Sequence, residues 1–475
     1  MGGDARIACD PQSGLNQYGS PPWPKPGVPA FGSCTASTIS PESFAAAQQL
    51  LDRLQRDAQA RVETEFDRVR TELGERCGVA SLPETGIIFA ASGTDLHLIA
   101  AQMSGPGGQS SPDTALPLLI VTIEAAETGN GVPAALAARH YSENAAMAGP
   151  VRKGEMLEDA RSTELVEVPS RDPAGVPVPM DECDTRVEAL VNRAVAFGQS
   201  VMLVLCDVSK TGFVAPSPAC ASRLLRRHPG QVDVFVDGCQ FRLAPSSIRS
   251  YVDHGFLVAL TGSKFVTGPP FSGAMLVPPG LSKRWKGRSL PRSLSAYSAR
   301  ADWPFGWAAR ESLEHAANVG LLLRWEAALS ELKAFQALDR RALADFLSTF
   351  AARIEERLGE DSAVEPLAIG KPDRGQVSSA GEWDALPTIF PFILRNRVGY
   401  LDLEETNSVY KKLLARHGQI GQPVICGLRR GRPLSALRLC TSMRLAVEAL
   451  SSTGRGPDEV IERALGLLDK VATLF

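Results

Sequence analysis

The sequence predicts an α/β fold: a large domain built on a mostly parallel sheet flanked by helices, followed by a smaller C-terminal α+β domain. Three observations carry the prediction. Six short apolar runs, TGIIFA, LPLLIVTI, SVMLVLC, VDVFVDG, FLVALTG and SGAMLV, lie between residues 85 and 280 and alternate with helical stretches. The runs are continuous rather than alternating, as strands covered on both faces require. A chain of 475 residues also exceeds what one small core organises, so a second unit is expected after the sheet.

Taken in order, residues 1–40 read as an irregular arm, because GSPPWPKPGVPAFGSCTASTIS is rich in Pro, Gly and Ser. Regular structure starts at Ser40, Pro41 and Glu42, which supply an N-cap, a pre-set first helical position and a favourable first-turn charge. Apolar residues from Phe44 to Leu73 recur at helical spacing, and Gly78 is a stop signal. The large domain is assigned to residues 41–320. A long helix over 308–335 links it to the small domain, residues 321–475, where helices are expected near 340–358, 402–417 and 457–473 and strands at PTIFPFIL and ALRLCTS.

Composition removes several function classes. A net charge of −3 provides no basic surface for nucleic acid. The apolar run Leu116 to Ile123 falls far short of the roughly 20 residues that span a bilayer, so no membrane association is expected. The N-terminus lacks the apolar stretch of a secretory signal, which makes the protein cytoplasmic by expectation. Nine cysteines occur without a C-x-x-C pair and the six histidines are dispersed, so no metal constellation can be drawn.

Three segments place polar residues at the carboxyl ends of predicted strands, where ligands bind in such sheets. In FAASGTDLH, Ser92, Gly93 and Thr94 bring backbone N–H groups and a hydroxyl to a helix N-terminus, which suits a phosphate; a plain strand-to-helix turn has the same signature. In VFVDGCQFRLAP, Asp237 ends an apolar run, where an unpartnered carboxylate is costly and a cationic partner removes the cost. A helix N-cap aspartate is the alternative. In LTGSKFVTGPPFSG, Lys264 ends a buried strand, flanked by Thr261 and Ser263; such a lysine is neutralised, paired or led out to solvent.

The order of these elements resembles the fold-type I pyridoxal-phosphate enzymes, and among them the class V aminotransferase and cysteine desulfurase branch. There a Ser-Gly-small-Thr turn precedes an Asp-x-x-Gln element and then a Ser/Thr-x-x-Lys element; Asp237, Gln240, Thr261 and Lys264 fit in order, over most of residues 30–450. The resemblance implies pyridoxal 5'-phosphate as cofactor and Lys264 as its Schiff-base lysine. It implies Asp237 as partner of the pyridine nitrogen, Gln240 at the ring hydroxyl or imine, and Gly93, Thr94, Thr261 and Ser263 as the phosphate cradle. Thr267 would reach the neighbouring subunit's phosphate in a homodimer, and Ser209, in CDVSKTG, would lie near the ring hydroxyl. Two departures stand out: EAAETGNG supplies no aromatic residue to stack on the ring, which leaves Thr128 or its neighbours, and Ser209 replaces an asparagine common in the desulfurases.

An amino-acid substrate needs its carboxylate fixed, and a bidentate arginine does this. Arg438 in ALRLCTS matches the class V arginine, with Arg242 a further candidate and Arg429, Arg430 and Arg432 read as a solvated cluster. Ser33, Cys34 and Thr35 fall where the family's N-terminal segment lines the pocket. Cys426 sits in apolar IGQPVICG, a setting that raises a thiol pKa, so desulfurase activity is disfavoured. The activity implied is that of an aminotransferase acting through an external aldimine and an α-carbanion. A lyase, or a β/γ-elimination or replacement enzyme, uses the same carbanion, and a non-catalytic cofactor-binding regulator is the third reading.

Overall fold

The computed structural model describes all residues except 1–2, 17, 26, 33–36, 57–61, 106–115, 361–362, 379–380 and 430. Each of the six apolar runs is a strand: β1 (Gly86–Ala90), β2 (Leu118–Ile123), β4 (Val201–Asp207), β5 (Val232–Asp237), β6 (Leu257–Thr261) and β7 (Gly273–Val277). A seventh, β3 (Thr163–Val168), escaped the sequence reading because its residues are only half-buried at the sheet edge. The spatial order is β1-β7-β6-β5-β4-β2-β3, with β7 antiparallel to both neighbours and the rest parallel.

Continuous apolar runs follow from this layering. Phe89, Val121, Leu203 and Val236 face one core, while their neighbours Ile88, Ile120, Val204 and Phe235 face the other. Each side chain of this size contributes about 1.5–3 kcal/mol when fully buried, so a polar residue within a strand would be costly on either face. Polar chemistry is thereby displaced to the strand ends.

The first helical stretch forms as α1 (Pro41–Arg56) and α2 (Val62–Arg76), and the Ser40 hydroxyl caps α1 by accepting from the Ser43 N–H. Gly78 ends the stretch with φ of 72°, a conformation glycine adopts without strain. The long helix expected over 308–335 is shorter than predicted. Only a 3-10 turn forms at Ala308–Ser312, and the helix proper, α4 (Val319–Gln336), begins where the Asn318 side chain accepts from the Leu321 N–H.

A second sheet, in the C-terminal part of the chain, carries β8 (Val364–Pro366), β9 (Ile389–Leu394), β10 (Gln419–Arg429) and β11 (Arg432–Cys440), with helices at Arg340–Glu360, Leu403–Arg416, Met443–Leu450 and Pro457–Ala472. The sheet runs β10-β11-β9-β8, and the arm's Ala30–Phe31 adds a parallel edge strand against β10. The arm therefore contributes an edge to the C-terminal sheet. A buried ionic staple ties the C-terminal part of the chain to the large sheet: Arg374 donates from Nε and Nη2 to both oxygens of Asp207, at the end of β4, while Tyr251 donates its hydroxyl to the same carboxylate. Among the described residues, no helix is long and apolar enough to cross a membrane.

Candidate active site

The carboxyl ends of β1, β4, β5 and β6 open into a cavity of about 780 Å³, closed from the other side by β10 and β11 of the C-terminal sheet. It is lined by Gly93, Thr94, Asp237, Gln240, Thr261, Ser263, Lys264 and Arg438, so eight residues singled out from sequence converge on one space.

The first wall is the turn from β1 into α3 (Gly93–Met103). Ser92 caps α3, its hydroxyl accepting from the Asp95 N–H, and Ser92, Gly93 and Thr94 at the start of the helix line the cavity. Gly93 is required here, since a Cβ would come within 2.6 Å of the Cys239 sulfur. Thr261 pins the facing loop by donating its hydroxyl to the Cys239 carbonyl at 2.7 Å.

Asp237 is buried at the end of β5. Burial by itself would raise its pKa, but His97, Lys264 and the Cys239 N–H outweigh that cost and hold the carboxyl below the usual carboxylate range. His97 projects from α3 with Nε2 3.3 Å from Asp237 Oδ2, outside well-aligned hydrogen-bond geometry. Its Nδ1 lies 2.7 Å from the Gly93 carbonyl and donates there, and the ring packs 4.7 Å from Phe235. The turn and the carboxylate are thus joined through one side chain, which sequence reading missed. The signal was the i, i+4 spacing of Gly93 and His97 on a helix beginning at the cavity.

Lys264 follows β6 in a tight loop where the Thr267 N–H donates to the Lys264 carbonyl and the Gly268 N–H to the Gly262 carbonyl. Among the described residues none is hydrogen-bonded to its Nζ, which leaves the amine available to a ligand. Arg438, on β11, donates from Nη1 to the Lys210 carbonyl and from Nη2 to the Gln422 carbonyl. A bulge in β10 between Gly421 and Val424 turns Gln422 and Pro423 into the cavity, and Gly421 leaves room for the guanidinium, whose Nε would lie 3.0 Å from an added Cβ.

Four of the expected residues do not line the cavity. Ser209 turns away and donates to Glu127 at 2.5 Å, so its neighbour Lys210 occupies that wall instead. Thr128 is buried with its hydroxyl on the Ala125 carbonyl, and Gly129, Asn130 and Gly131 form the surface beside it. Thr267 is buried with φ of 67°, its hydroxyl on the Val266 carbonyl. Arg242 is a packing residue, donating to the Thr388 and Thr441 carbonyls with its guanidinium over the Phe265 ring. Ser33, Cys34, Thr35 and Arg430 lie outside the described residues.

The N-terminal segment adds a wall that sequence reading did not anticipate. Asp4, Arg6 and Tyr18 line the cavity, Arg6 pairing with Asp4 and covering the Phe271 ring at 4.8 Å. Tyr141 also lines it and donates to Asp95 at 2.7 Å.

No family model and no curated protein matches the chain. Solved structures do match in fold. The cystine C-S lyase C-DES, in complex with cysteine persulfide, aligns over 94% of this chain and 98% of its own with a TM-score of 0.55 and 16% identity. Sphingomonas wittichii serine palmitoyltransferase aligns over 94% and 88% at TM-score 0.52 and 12% identity. The decarboxylase domain of a Vibrio parahaemolyticus diaminobutyrate transaminase and decarboxylase aligns over 94% and 81% at TM-score 0.54 and 15% identity. The fold is that of the fold-type I pyridoxal-phosphate enzymes.

Proposed function

We propose that this fold is used here for its usual chemistry: the cavity holds pyridoxal 5'-phosphate, and the protein is an enzyme acting on an amino acid, by preference as an aminotransferase. The observation that carries the reading is the convergence of Lys264, Asp237 and the Ser92–Thr94 turn on one cavity, an amine, a buried carboxylate and a helix N-terminus supplied by three separate strand ends. The residues fit the group. Gly93 keeps the turn open to an anion, and Lys264 has an uncommitted amine.

When bound, the cofactor supplies an electron sink for a bond at the substrate's α-carbon. The chain's own groups set up its use. Gly93, Thr94 and Ser263 would hold the phosphate through N–H and O–H donors, and Thr261, its hydroxyl on the Cys239 carbonyl, would hold the facing loop in place. Asp237, ionised and steadied by His97, keeps a proton on the pyridine nitrogen. Arg438 orients the substrate by its α-carboxylate, with its own position fixed by two backbone carbonyls. Lys264 Nζ would hold the cofactor and, once free, would serve as the general base for the α-proton. Gly129, Asn130 and Gly131, which line the cavity, would cover the ring in place of a stacked aromatic. Thr128, Ser209 and Thr267 would then act through the loops they hold. A homodimer is part of the proposal, to be checked by sedimentation.

Purified protein loaded with the cofactor is expected to absorb near the visible edge, to be labelled by borohydride, and to lose both properties in Lys264→Ala. A wild type that stays colourless and unlabelled refutes the reading. The fold shared with C-DES favours a lyase as the second reading. Single-turnover reaction separates the two: accumulation of the cofactor's amine form marks transamination, and release of a leaving group with the aldehyde form retained marks elimination.

A further inference from the structure

We propose that Lys210 and Arg438 form a two-cation receptor that selects an amino acid bearing a second acidic group on its side chain. The inference rests on the reading of this cavity as an amino-acid site and adds the substrate class to it.

The loop after β4 is built to present Lys210. Val208 takes φ of 56°, and the buried Glu127 fastens both residues that flank the lysine, accepting from the Ser209 hydroxyl at 2.5 Å and from the Thr211 hydroxyl at 2.6 Å and N–H at 3.1 Å. The Lys210 N–H donates to the Glu127 carbonyl at 3.0 Å. With its neighbours held on Glu127, the Lys210 side chain turns into the cavity, where Nζ donates to Asn130 Oδ1 at 2.9 Å. The same residue's carbonyl accepts from Arg438 Nη1 at 3.3 Å, so the guanidinium is anchored on the backbone of the residue whose ammonium faces the same cavity.

The nearby carboxylates are committed elsewhere. Glu127 is taken by Ser209, Thr211 and Arg171, Asp237 by His97, and Asp4 by Arg6, while Glu143 at the rim is exposed to solvent. Lys210 therefore rests on a neutral amide. Burial, with Arg438 and Lys264 close by, presses its ammonium down to about 8. Glu127 acts on Lys210 electrostatically but spends its oxygens on Ser209, Thr211 and Arg171, and two cations facing one cavity without a directly bonded carboxylate among the described residues are an unfavourable arrangement unless a ligand completes it. One substrate carboxylate answers Arg438; a second acidic group answers Lys210.

The test measures equilibrium binding of glutarate and butyrate to the full-length protein by calorimetry, with and without pyridoxal phosphate. Wild type is expected to prefer the dicarboxylate by at least about tenfold, the scale of one charge-assisted contact. The preference should collapse in Lys210→Met and persist in Lys210→Arg, which keeps the charge and reports that the loop still folds. Equal binding of the two acids by wild type, or a preference that survives Lys210→Met, overturns the inference. A preference found in a protein that never develops the visible band leaves the receptor standing and refutes the cofactor reading alone. A normal band without the preference does the reverse.

Discussion

Replacing His97 by Phe keeps an aromatic ring against Phe235 but removes both nitrogens, one facing Asp237 and one donating to the Gly93 carbonyl. Hydrogen bonds to charged groups contribute about 1.5–3 kcal/mol. The 3.3 Å contact is imperfectly aligned, so the lower end applies. About 1.5 kcal/mol corresponds to roughly tenfold in an equilibrium constant. Asp237 would keep the Cys239 N–H and the field of Lys264, which is why the loss should be partial. Spectral titration of pyridoxal phosphate into cofactor-free His97→Phe is therefore expected to show a dissociation constant raised about tenfold. The pH profile of the visible band should shift as well, because a less well-steadied Asp237 holds the pyridine proton less firmly; a mere packing defect would leave that profile alone. If His97→Phe binds the cofactor as wild type does, with an unchanged profile, His97 does not position Asp237.

Three further outcomes follow from particular contacts. Arg438→Met should weaken amino-acid binding by about a hundredfold, the loss of a paired charge-assisted contact of about 3 kcal/mol, while the cofactor band stays in place; loss of the band instead would assign Arg438 to the cofactor. Arg374→Met strands the fully buried Asp207 with only the Tyr251 hydroxyl, and denaturant unfolding should show about 3–5 kcal/mol less stability. A change under about 1 kcal/mol would show that the C-terminal part of the chain is held otherwise. Burial pushes Asp302 up to about 7 against the Ala299 N–H, Arg70 and the Ser298 hydroxyl. Its folded pKa lies above its unfolded one, so its contribution is greatest in acid and is lost as pH rises from about 4 to about 7. Asp302→Asn should abolish that component, worth up to about 4 kcal/mol, as read from the difference between the two unfolding profiles. Parallel profiles refute it.

Much of this architecture was legible residue by residue. Runs such as VDVFVDG and FLVALTG announce strands covered on both faces, and the polar residues expelled to their ends, Asp237 and Lys264, mark the site because a doubly covered strand has no other place for them. Edge strand β3 was hidden because its half-buried residues carry neither pattern. The start of α4 was misplaced because apolar spacing continues upstream of the Asn318 cap. What local pattern could not decide is which side chain of a loop turns inward. Ser209 and Lys210 are neighbours in sequence, and only the distant Glu127, 82 positions from Ser209, draws the hydroxyl away and leaves the lysine in the cavity. Arg242 and Arg438 look alike in sequence; backbone carbonyls from the C-terminal part of the chain absorb the first, while a bulge in β10 opens space for the second. His97 and the Asp4–Arg6 pair likewise acquire meaning only through partners far along the chain. Sequence by itself determined the layers and the polar strand ends, because hydrophobic burial acts on local periodicity. Tertiary structure alone decided which polar groups face the cavity, because hydrogen-bond and charge satisfaction is settled between residues that only folding brings together.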